Sequence, residues 1–270
     1  MIDLEALNAR HGKDFRPAGA YEGGEFGASR VADGEGRRYV LKLQPPGLAP
    51  QTTEVLRPLG YPVPRYVAWG EDYHVQEELP GQPGGNGWGA SSPGVMARLL
   101  ELNELQAGRA VDPEESWPDV IVESVLAGFA DYSMPESLER HSDDSRELLR
   151  LCRRAVELHA DGLRGRRDIV HWDYTLSNVL LDGDRVTGVI DWGGTRSGDR
   201  LFDLATLVYY ARGEAPELER YVVERIGEEG LAVYLAHMCV RQTDWSLRYH
   251  GIEAGEEVLA YSLELLRNCS

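Results

Sequence analysis

Lysine is almost absent from this chain of 270 residues, which has 26 arginines but only two lysines, Lys13 and Lys42. Because arginine serves wherever a generic cation is sufficient, a lysine indicates a special requirement. Lys42 lies in a run of β-forming residues. Its compact ammonium can enter a crowded phosphate site that does not fit the broad guanidinium fork of arginine. A solvated lysine on the wet face of an edge strand is the alternative.

Cysteine is also scarce, and the three cysteines, Cys152, Cys239 and Cys269, are odd in number and widely spaced. This usage predicts reduced thiols in a cytoplasmic protein. No apolar run approaches the roughly 20 residues that cross a bilayer, and the acidic segment 1–7 does not resemble a signal peptide. The histidines lack the spacing of a zinc site. We therefore expect neither a membrane partner nor zinc.

Basic charge is in short supply, since 45 acidic and 28 basic side chains give a net charge of −17. A nucleic-acid partner is not expected, because binding to phosphate backbones needs a basic surface. Residues 1–84 carry 12 acids and 9 bases, or −3, whereas residues 85–270 carry 33 acids and 19 bases, or −14. An acidic surface can serve solubility alone or can attract a cationic ligand, and the sequence leaves both interpretations open.

The chain changes character after its first eighty residues. Composition and turn signals predict strands at 26–31, 39–43, 66–69 and 74–77 and a short helix at 52–57. Helical spacing of apolar residues predicts helices at 93–106, 145–163, 201–211, 217–226, 231–247 and 256–266. The pattern predicts an α+β protein with a β-rich N-terminal lobe (1–78), a Gly- and Pro-rich hinge (79–87) and a mostly helical C-terminal lobe (88–270).

The most informative feature is an Asp and an Asn five residues apart, Asp173 and Asn178, followed thirteen residues later by Asp191. Asp173 and Asn178 can face one pocket from a single tight loop. Two β-rich runs then flank an Asp-Gly turn at 182–184, which is a strong hairpin signal. The second strand of this hairpin is expected to bring Asp191 back beside Asn178.

This set of oxygens suits phosphoryl transfer, in which a protein mainly positions the nucleophile and neutralises charge through Mg2+. Mg2+ prefers oxygen ligands and keeps several waters, so Asn178 and Asp191 together with nucleotide phosphates are sufficient. Asp173 would then accept a proton from, or orient, the acceptor hydroxyl. The alternatives are the acidic turns of an ordinary hairpin and a glycosidase with Asp173 and Asp191 as its paired carboxylates.

The segments His171–Asn178 and Asp191–Gly193 resemble the catalytic loop and the metal-binding segment of the aminoglycoside phosphotransferase/choline kinase family, relatives of the protein kinases. Gly198–Ala205 is similar to the stretch that follows in that family. The resemblance implies a two-lobed, protein-kinase-like fold with the hairpin embedded in the C-terminal lobe. It also implies an enzyme that uses Mg2+ and ATP or GTP to phosphorylate a hydroxyl of a small molecule, with Asp173 as its catalytic residue.

The same resemblance implies a nucleotide site in the N-terminal lobe. Lys42 would bind the α- and β-phosphates and pair with a helix glutamate, for which Glu54 is the candidate. The remaining expected contacts belong to a phosphate-covering loop, which does not match G-x-G-x-x-G, and to the hinge that binds the base: Gly23, Gly24, Gly27, Glu77 and Leu79.

One departure from the family concerns Trp172, because the family usually has Gly between the His and the Asp. We expect a tryptophan to avoid the backbone angles open to glycine and to reshape the wall beside Asp173. His171 is expected to be a structural hydrogen-bonding residue.

The acceptor is expected to be an aminoglycoside or another cationic antibiotic. Its candidate contacts are Asp199, Asp244 and Glu253, although Asp199 can instead hold backbone N–H groups of the turn that follows. A metabolite kinase for choline, an amino alcohol or a sugar is the alternative within the same class. A nucleotide-binding scaffold without turnover is the alternative of another class.

Overall fold

The structure is a computed structural model that describes residues 3–21, 28–85, 92–112, 116–128, 134–163 and 165–268. Two compact units form. Unit 1 comprises Met1–Asn86, Ala90–Val111 and His171–Arg196, and unit 2 comprises Gly87–Gly89, Asp112–Val170 and Ser197–Ser270. These units differ from the predicted lobes 1–78, 79–87 and 88–270, which stay a prediction. The difference arises because the hairpin packs with the N-terminal residues, where the N–H of Val189 donates to the carbonyl of Pro62 at 2.7 Å.

Unit 1 is built on a five-stranded antiparallel sheet. Its N-terminal elements are α1 (Leu4–His11), β1 (Arg16–Tyr21), β2 (Ala28–Ala32), β3 (Arg38–Lys42), α2 (Ala49–Leu56), β4 (Tyr66–Trp69) and β5 (His74–Glu77), and the strand order is β1-β2-β3-β5-β4. Successive side chains of a strand point to opposite faces. One face forms a core that includes Leu7, Leu41 and Val75. The other face carries Lys42 and His74, which are register partners.

The predicted hairpin completes unit 1. It consists of β8 (Val179–Asp182) and β9 (Arg185–Val189), and the short β6 (Gln82–Pro83) extends it to three strands in the order β6-β8-β9. Gly183 in the turn has φ 58°, a left-handed conformation that glycine adopts without strain. Helix α3 (Pro93–Leu105) packs against β9. The hairpin therefore presents its open end, Asn178 and Asp191, inside unit 1.

Unit 2 is mostly helical. Its helices are α4 (Trp117–Leu126), α5 (Pro135–His141), α6 (Asp143–His159), α7 (Leu201–Ala211), α8 (Pro216–Trp245) and α9 (Ile252–Asn268). The two helices predicted at 217–226 and 231–247 lie within α8 on either side of Gly227, whose non-helical angles (φ 76°, ψ 167°) break the helix there. Unit 2 also contains the strand β7 (Asp168–Val170) and the last two residues of β10 (Arg196–Gly198). In the parts of the chain that the structure describes, none of the helices combines the length and apolarity needed to cross a membrane.

Candidate active site

Lys42 and Asp191 form an ion pair in unit 1. The Nζ of Lys42, at the end of β3, lies 3.0 Å from Oδ1 of Asp191, and the Lys42 side chain is 18% exposed. Burial raises the pKa of the Asp191 carboxyl, but the Lys42 ammonium, through its charge and its hydrogen bond, outweighs burial and leaves that pKa below its usual value. The Asp191 carboxylate is therefore ionised at neutral pH. A cation able to meet phosphates and an anion able to meet a metal lie side by side.

The backbone of Asp191 is left-handed, with φ 66° and ψ 53°. A non-glycine residue in this conformation is strained, and such strain persists only where the surroundings enforce it. Here the next side chain does so. Trp192 is fully buried, its Nε1 donates to the carbonyl of Val189 at 2.9 Å, and its ring meets the His171 ring edge-on at 4.5 Å. The turn that aims the Asp191 carboxylate is thus fixed from within the core.

Asn178 joins the catalytic loop to the hairpin. Its Nδ2 donates to both the carbonyl oxygen (2.8 Å) and the Oδ2 (2.9 Å) of Asp173. Its own carbonyl accepts from the N–H of Ile190 at 2.9 Å, one residue before Asp191. Because the amide nitrogen of Asn178 is committed to Asp173, its side-chain oxygen is the atom left for another partner. The structure thus connects Asp173, Asn178 and the approach to Asp191, as the spacing predicted.

His171 is fully buried and bridges the same two segments. Its Nε2 lies 2.8 Å from the carbonyl of Ile190, and its Nδ1 lies 3.3 Å from the N–H of Asp173. One neutral tautomer satisfies both contacts, with Nε2–H donating and Nδ1 accepting. This arrangement agrees with the structural role expected for His171.

Trp172 corrects one expectation from the sequence. It has φ 76°, which is the left-handed region that a tryptophan was expected to avoid. The side chain is 3% exposed, so its ring is packed inside the protein. The physical reason for the difference is packing, because contacts of a large buried ring can offset the cost of an unfavourable backbone conformation.

The donor set of the site fits Mg2+ held together with a nucleotide. Among the described residues, no cluster of three or more His, Cys, Asp or Glu side chains suits a metal ion. Asn178 and Asp191 instead offer one amide oxygen and one ionised carboxylate. Mg2+ retains waters and takes its remaining oxygens from substrate phosphates, so two protein ligands are sufficient.

Sequence reasoning missed His74, which is the register partner of Lys42 on β5. The residue is buried, and its Nδ1 lies 3.1 Å from the carbonyl of Gln44. The pKa of His74 is lowered to about 4, mainly by burial. The charge of Lys42 lowers the pKa further, whereas the hydrogen bond to Gln44 raises it. His74 is therefore neutral beside Lys42. The register of β3 against β5 is the signal that could have identified His74 as a neighbour of Lys42.

The predicted nucleotide contacts are placed as follows. Glu54 is exposed on α2, whereas Lys42 pairs with Asp191, so the Lys42–Glu54 pairing stays a prediction. The Oε2 of Glu77 accepts from Nη1 of Arg57 at 3.0 Å. Leu79 lies against Gly188, where an added Cβ would meet Leu79 Cδ1 at 2.9 Å. The three glycines of the predicted phosphate-covering loop lie outside the described residues: Gly23, Gly24 and Gly27.

An ion pair beside the predicted hinge was also missed. The guanidinium of Arg30 on β2 donates to both carboxylate oxygens of Glu78, with the shortest contact 2.7 Å. This two-pronged geometry is the strong form of an arginine–carboxylate pair. It attaches the segment after β5 to the sheet.

Of the predicted acceptor contacts, Asp199 lies in unit 2 and is 1% exposed. It accepts hydrogen bonds from the N–H of Leu201 (3.0 Å) and from the hydroxyl of Tyr234 (3.2 Å). The pKa of its carboxyl is raised above the usual value, mainly by burial. These hydrogen bonds and the charge of Arg166 oppose that shift without cancelling it. Asp199 therefore holds the turn before α7, the alternative that the sequence allowed.

Asp244 and Glu253 also lie in unit 2. Asp244 is fully buried near the end of α8, where it accepts from Ser137, from the N–H of Met134 (2.9 Å) and from Arg248 (2.6 Å). These partners give it a structural role, and we do not propose it as an acceptor contact. Glu253 is exposed in the first turn of α9.

The chain matches the phosphotransferase enzyme family over residues 21–237. It belongs to that family. This membership makes the protein a small-molecule kinase, and it bears out the resemblance seen in the catalytic loop.

Known relatives agree with this assignment. A hygromycin-B 4-O-kinase of Escherichia coli is 30% identical over 87 residues, which are 30% of this chain and 26% of that relative. A thermostable mutant of aminoglycoside phosphotransferase APH(4)-Ia, solved with ADP and hygromycin B, has a TM-score of 0.74 at 20% identity and 97% coverage of both chains. The macrolide 2'-phosphotransferase MphH of Brachybacterium faecium has a TM-score of 0.60 at 18% identity and 96% coverage of both chains. The two structures confirm the predicted kinase-like fold.

Proposed function

We propose that this phosphotransferase transfers the γ-phosphoryl group of ATP or GTP, with Mg2+, to a hydroxyl of an aminoglycoside or another cationic antibiotic. The observation that carries the proposal is the pair of contacts in unit 1, Lys42 with Asp191 and Asn178 with Asp173. Together they provide a cation for phosphates, two oxygens for a metal ion and a carboxylate for the acceptor. A cytoplasmic location, where these nucleotides are abundant, is part of the proposal.

Asp173 acts on the acceptor. Its Oδ2 accepts from Asn178, so the carboxylate has a fixed orientation, and it retains acceptor capacity for an incoming hydroxyl. Alignment of the hydroxyl with the phosphorus supplies most of the rate enhancement, because phosphoryl transfer depends chiefly on positioning and on neutralisation of charge.

Lys42, Asn178 and Asp191 act on the nucleotide. The Lys42 ammonium binds the α- and β-phosphates as a point charge. Asn178 and Asp191 would hold the metal, which draws negative charge away from the transferred group. Glu77 and Leu79 would contact the base through their backbone groups, Gly23, Gly24 and Gly27 would cover the phosphates, and Glu54 remains the proposed helix partner of Lys42.

The chemistry of the acceptor is proposed from charge and from similarity. Residues 85–270 carry a net charge of −14, which can attract a polycation. The APH(4)-Ia relative was solved with hygromycin B and ADP, and this supports an aminoglycoside acceptor and a nucleotide. Glu253, exposed on α9, remains a proposed acceptor contact.

The test is a screen of the full chain with Mg2+ and either ATP or GTP against aminoglycosides, macrolides, nucleosides, choline and simple amino alcohols. The proposal predicts one added phosphate, detected by mass spectrometry, on a cationic antibiotic. A product made only from choline or an amino alcohol would identify the acceptor as a metabolite and not as an antibiotic. Nucleotide binding without any phosphorylated product would favour a scaffold.

A further inference from the structure

Trp172 carries a large aromatic side chain at a backbone position suited to glycine. Its φ of 76° is one of three positive φ values found at non-glycine residues in the described part of the chain, with those of Asp191 and Arg212. Steric contact of Cβ with the backbone makes this region unfavourable for all side chains and most unfavourable for bulky ones. Contacts of the ring must therefore offset the cost at this position.

The ring of Trp172 packs against the residues that follow Asp191. A Cβ added to Gly194 would lie 3.3 Å from Cδ1 and 3.6 Å from Cβ of Trp172, so the absence of a side chain at Gly194 makes room for the ring. The guanidinium carbon of Arg196 lies 5.5 Å from the ring centroid, within the range of a cation–π contact. All of these residues belong to unit 1.

This packing joins two parts of the proposed active site. Trp172 immediately precedes Asp173, and Gly194 and Arg196 follow Asp191 by three and five residues. The ring is buried, so it does not reach a substrate. Any displacement of the ring would move the backbone of Asp173 relative to the turn that carries Asp191.

We propose that Trp172 is a positioning residue, whose ring fixes Asp173 relative to Asp191 by packing on Gly194 and Arg196. The proposal rests on the proposed function of Asp173 and Asp191. The left-handed backbone and the ring act together, because the backbone directs the ring toward Gly194 and the ring contacts maintain the backbone.

The test compares three single variants, Trp172→Gly, Trp172→Phe and Arg196→Gln, with the double variant that combines Trp172→Gly and Arg196→Gln. Trp172→Gly removes the ring and relieves the backbone, whereas Trp172→Phe keeps an aromatic ring at the same angles. We expect Trp172→Gly to lower kcat by about tenfold or more with the nucleotide KM within about threefold of wild type. Trp172→Phe should recover most of the kcat. The double variant should be no slower than Trp172→Gly, because the two side chains act as one unit.

A role confined to stability would lower the melting temperature of Trp172→Gly and leave its kcat unchanged while the protein is folded. That result, or additive effects in the double variant, would overturn the proposal.

Crystal structures of the wild type and of Trp172→Gly give a second measurement that needs no turnover. We expect the Asn178–Asp173 contact, 2.9 Å here, to open in Trp172→Gly and to persist in Trp172→Phe. If the Asn178–Asp173 contact were unchanged in Trp172→Gly, the positioning role would be wrong, whatever the acceptor is. If the wild type had no kinase activity, only the proposed function would be wrong.

Discussion

The ammonium of Lys42 lies 3.0 Å from the carboxylate of Asp191, and the two groups partly neutralise each other in a half-buried site. In the proposed reaction each has a partner of its own, a phosphate for Lys42 and a metal ion for Asp191. In that reaction Mg2+-nucleotide binding would replace or share an existing ion pair. The affinities for metal and nucleotide would then depend on each other.

Lys42→Ala should raise the nucleotide KM and lower kcat together, because the proposed role of the ammonium is both to bind and to align the phosphates. The loss in kcat/KM should be about 100-fold, or roughly 3 kcal/mol of transition-state stabilisation. Lys42→Arg should also be impaired, since the fork does not fit the place of a point charge. Lys13→Ala is the matched control, as Lys13 is the other lysine and is exposed. Steady-state kinetics with wild-type values for Lys42→Arg would contradict this role.

Asp191→Asn should raise the Mg2+ concentration that gives half-maximal activity, because the variant lacks the proposed anionic metal ligand. The shift should be about tenfold or more, in the range seen when a metal ligand is weakened. Titration of Mg2+ at fixed nucleotide measures it. Asp184→Asn, in the exposed hairpin turn, removes a carboxylate of the same segment and should leave the titration unchanged. An identical Mg2+ requirement in Asp191→Asn would remove Asp191 from the metal site.

A cationic acceptor should show electrostatic steering by the −14 balance of residues 85–270. Such steering is screened by salt, with a Debye length of about 10 Å at 0.1 M. The acceptor kcat/KM should therefore fall between low and moderate ionic strength, and fall less for a neutral analogue. The measurement is acceptor kcat/KM against NaCl at saturating nucleotide. A good substrate without a positive charge, or a salt-insensitive kcat/KM for a cationic one, would show that the acidic residues serve solubility alone.

Burial of neutral His74 should make the fold sensitive to acid. Its pKa is about 4 in the folded chain, against 6.5 for the exposed group. Below pH 6.5 His74 binds a proton in the unfolded chain but not in the folded chain. The free energy of unfolding therefore falls as the pH falls toward 4. At pH 5 this amounts to about 2 kcal/mol. Urea unfolding at pH 7 and pH 5 should show a smaller loss for His74→Gln than for the wild type. Equal losses would contradict the burial of a neutral ring.

Local signals were sufficient for much of the fold. The Asp-Gly turn predicted the hairpin, and β3, β5 and α7 lie where the composition and apolar spacing placed them. Elements with weak patterns were missed. Helix α1 buries only Leu7, so its apolar spacing is faint. The two helices predicted at 217–226 and 231–247 are separated as expected, because the non-helical angles of Gly227 break α8 between them.

The site was predicted unevenly for a physical reason. Asp173, Asn178 and Asp191 are close in sequence, so spacing and one hairpin bring them together. The partner of Lys42 depends on tertiary contact, and here the ammonium meets Asp191. His74 depends on strand register, and the angle at Trp172 depends on packing around its ring. None of these three features leaves a local pattern in the sequence.

In the proposed reaction Asp173 serves the acceptor, while other residues hold the nucleotide. The most direct test of this role compares phosphorylated product and nucleotide affinity in wild type and Asp173→Asn. Asp182→Asn, at the exposed end of β8, is the control. We expect Asp173→Asn to lose at least about 100-fold in acceptor phosphorylation, with the Kd for Mg2+-nucleotide nearly unchanged. Near-normal turnover in Asp173→Asn would show that Asp173 does not act on the acceptor hydroxyl.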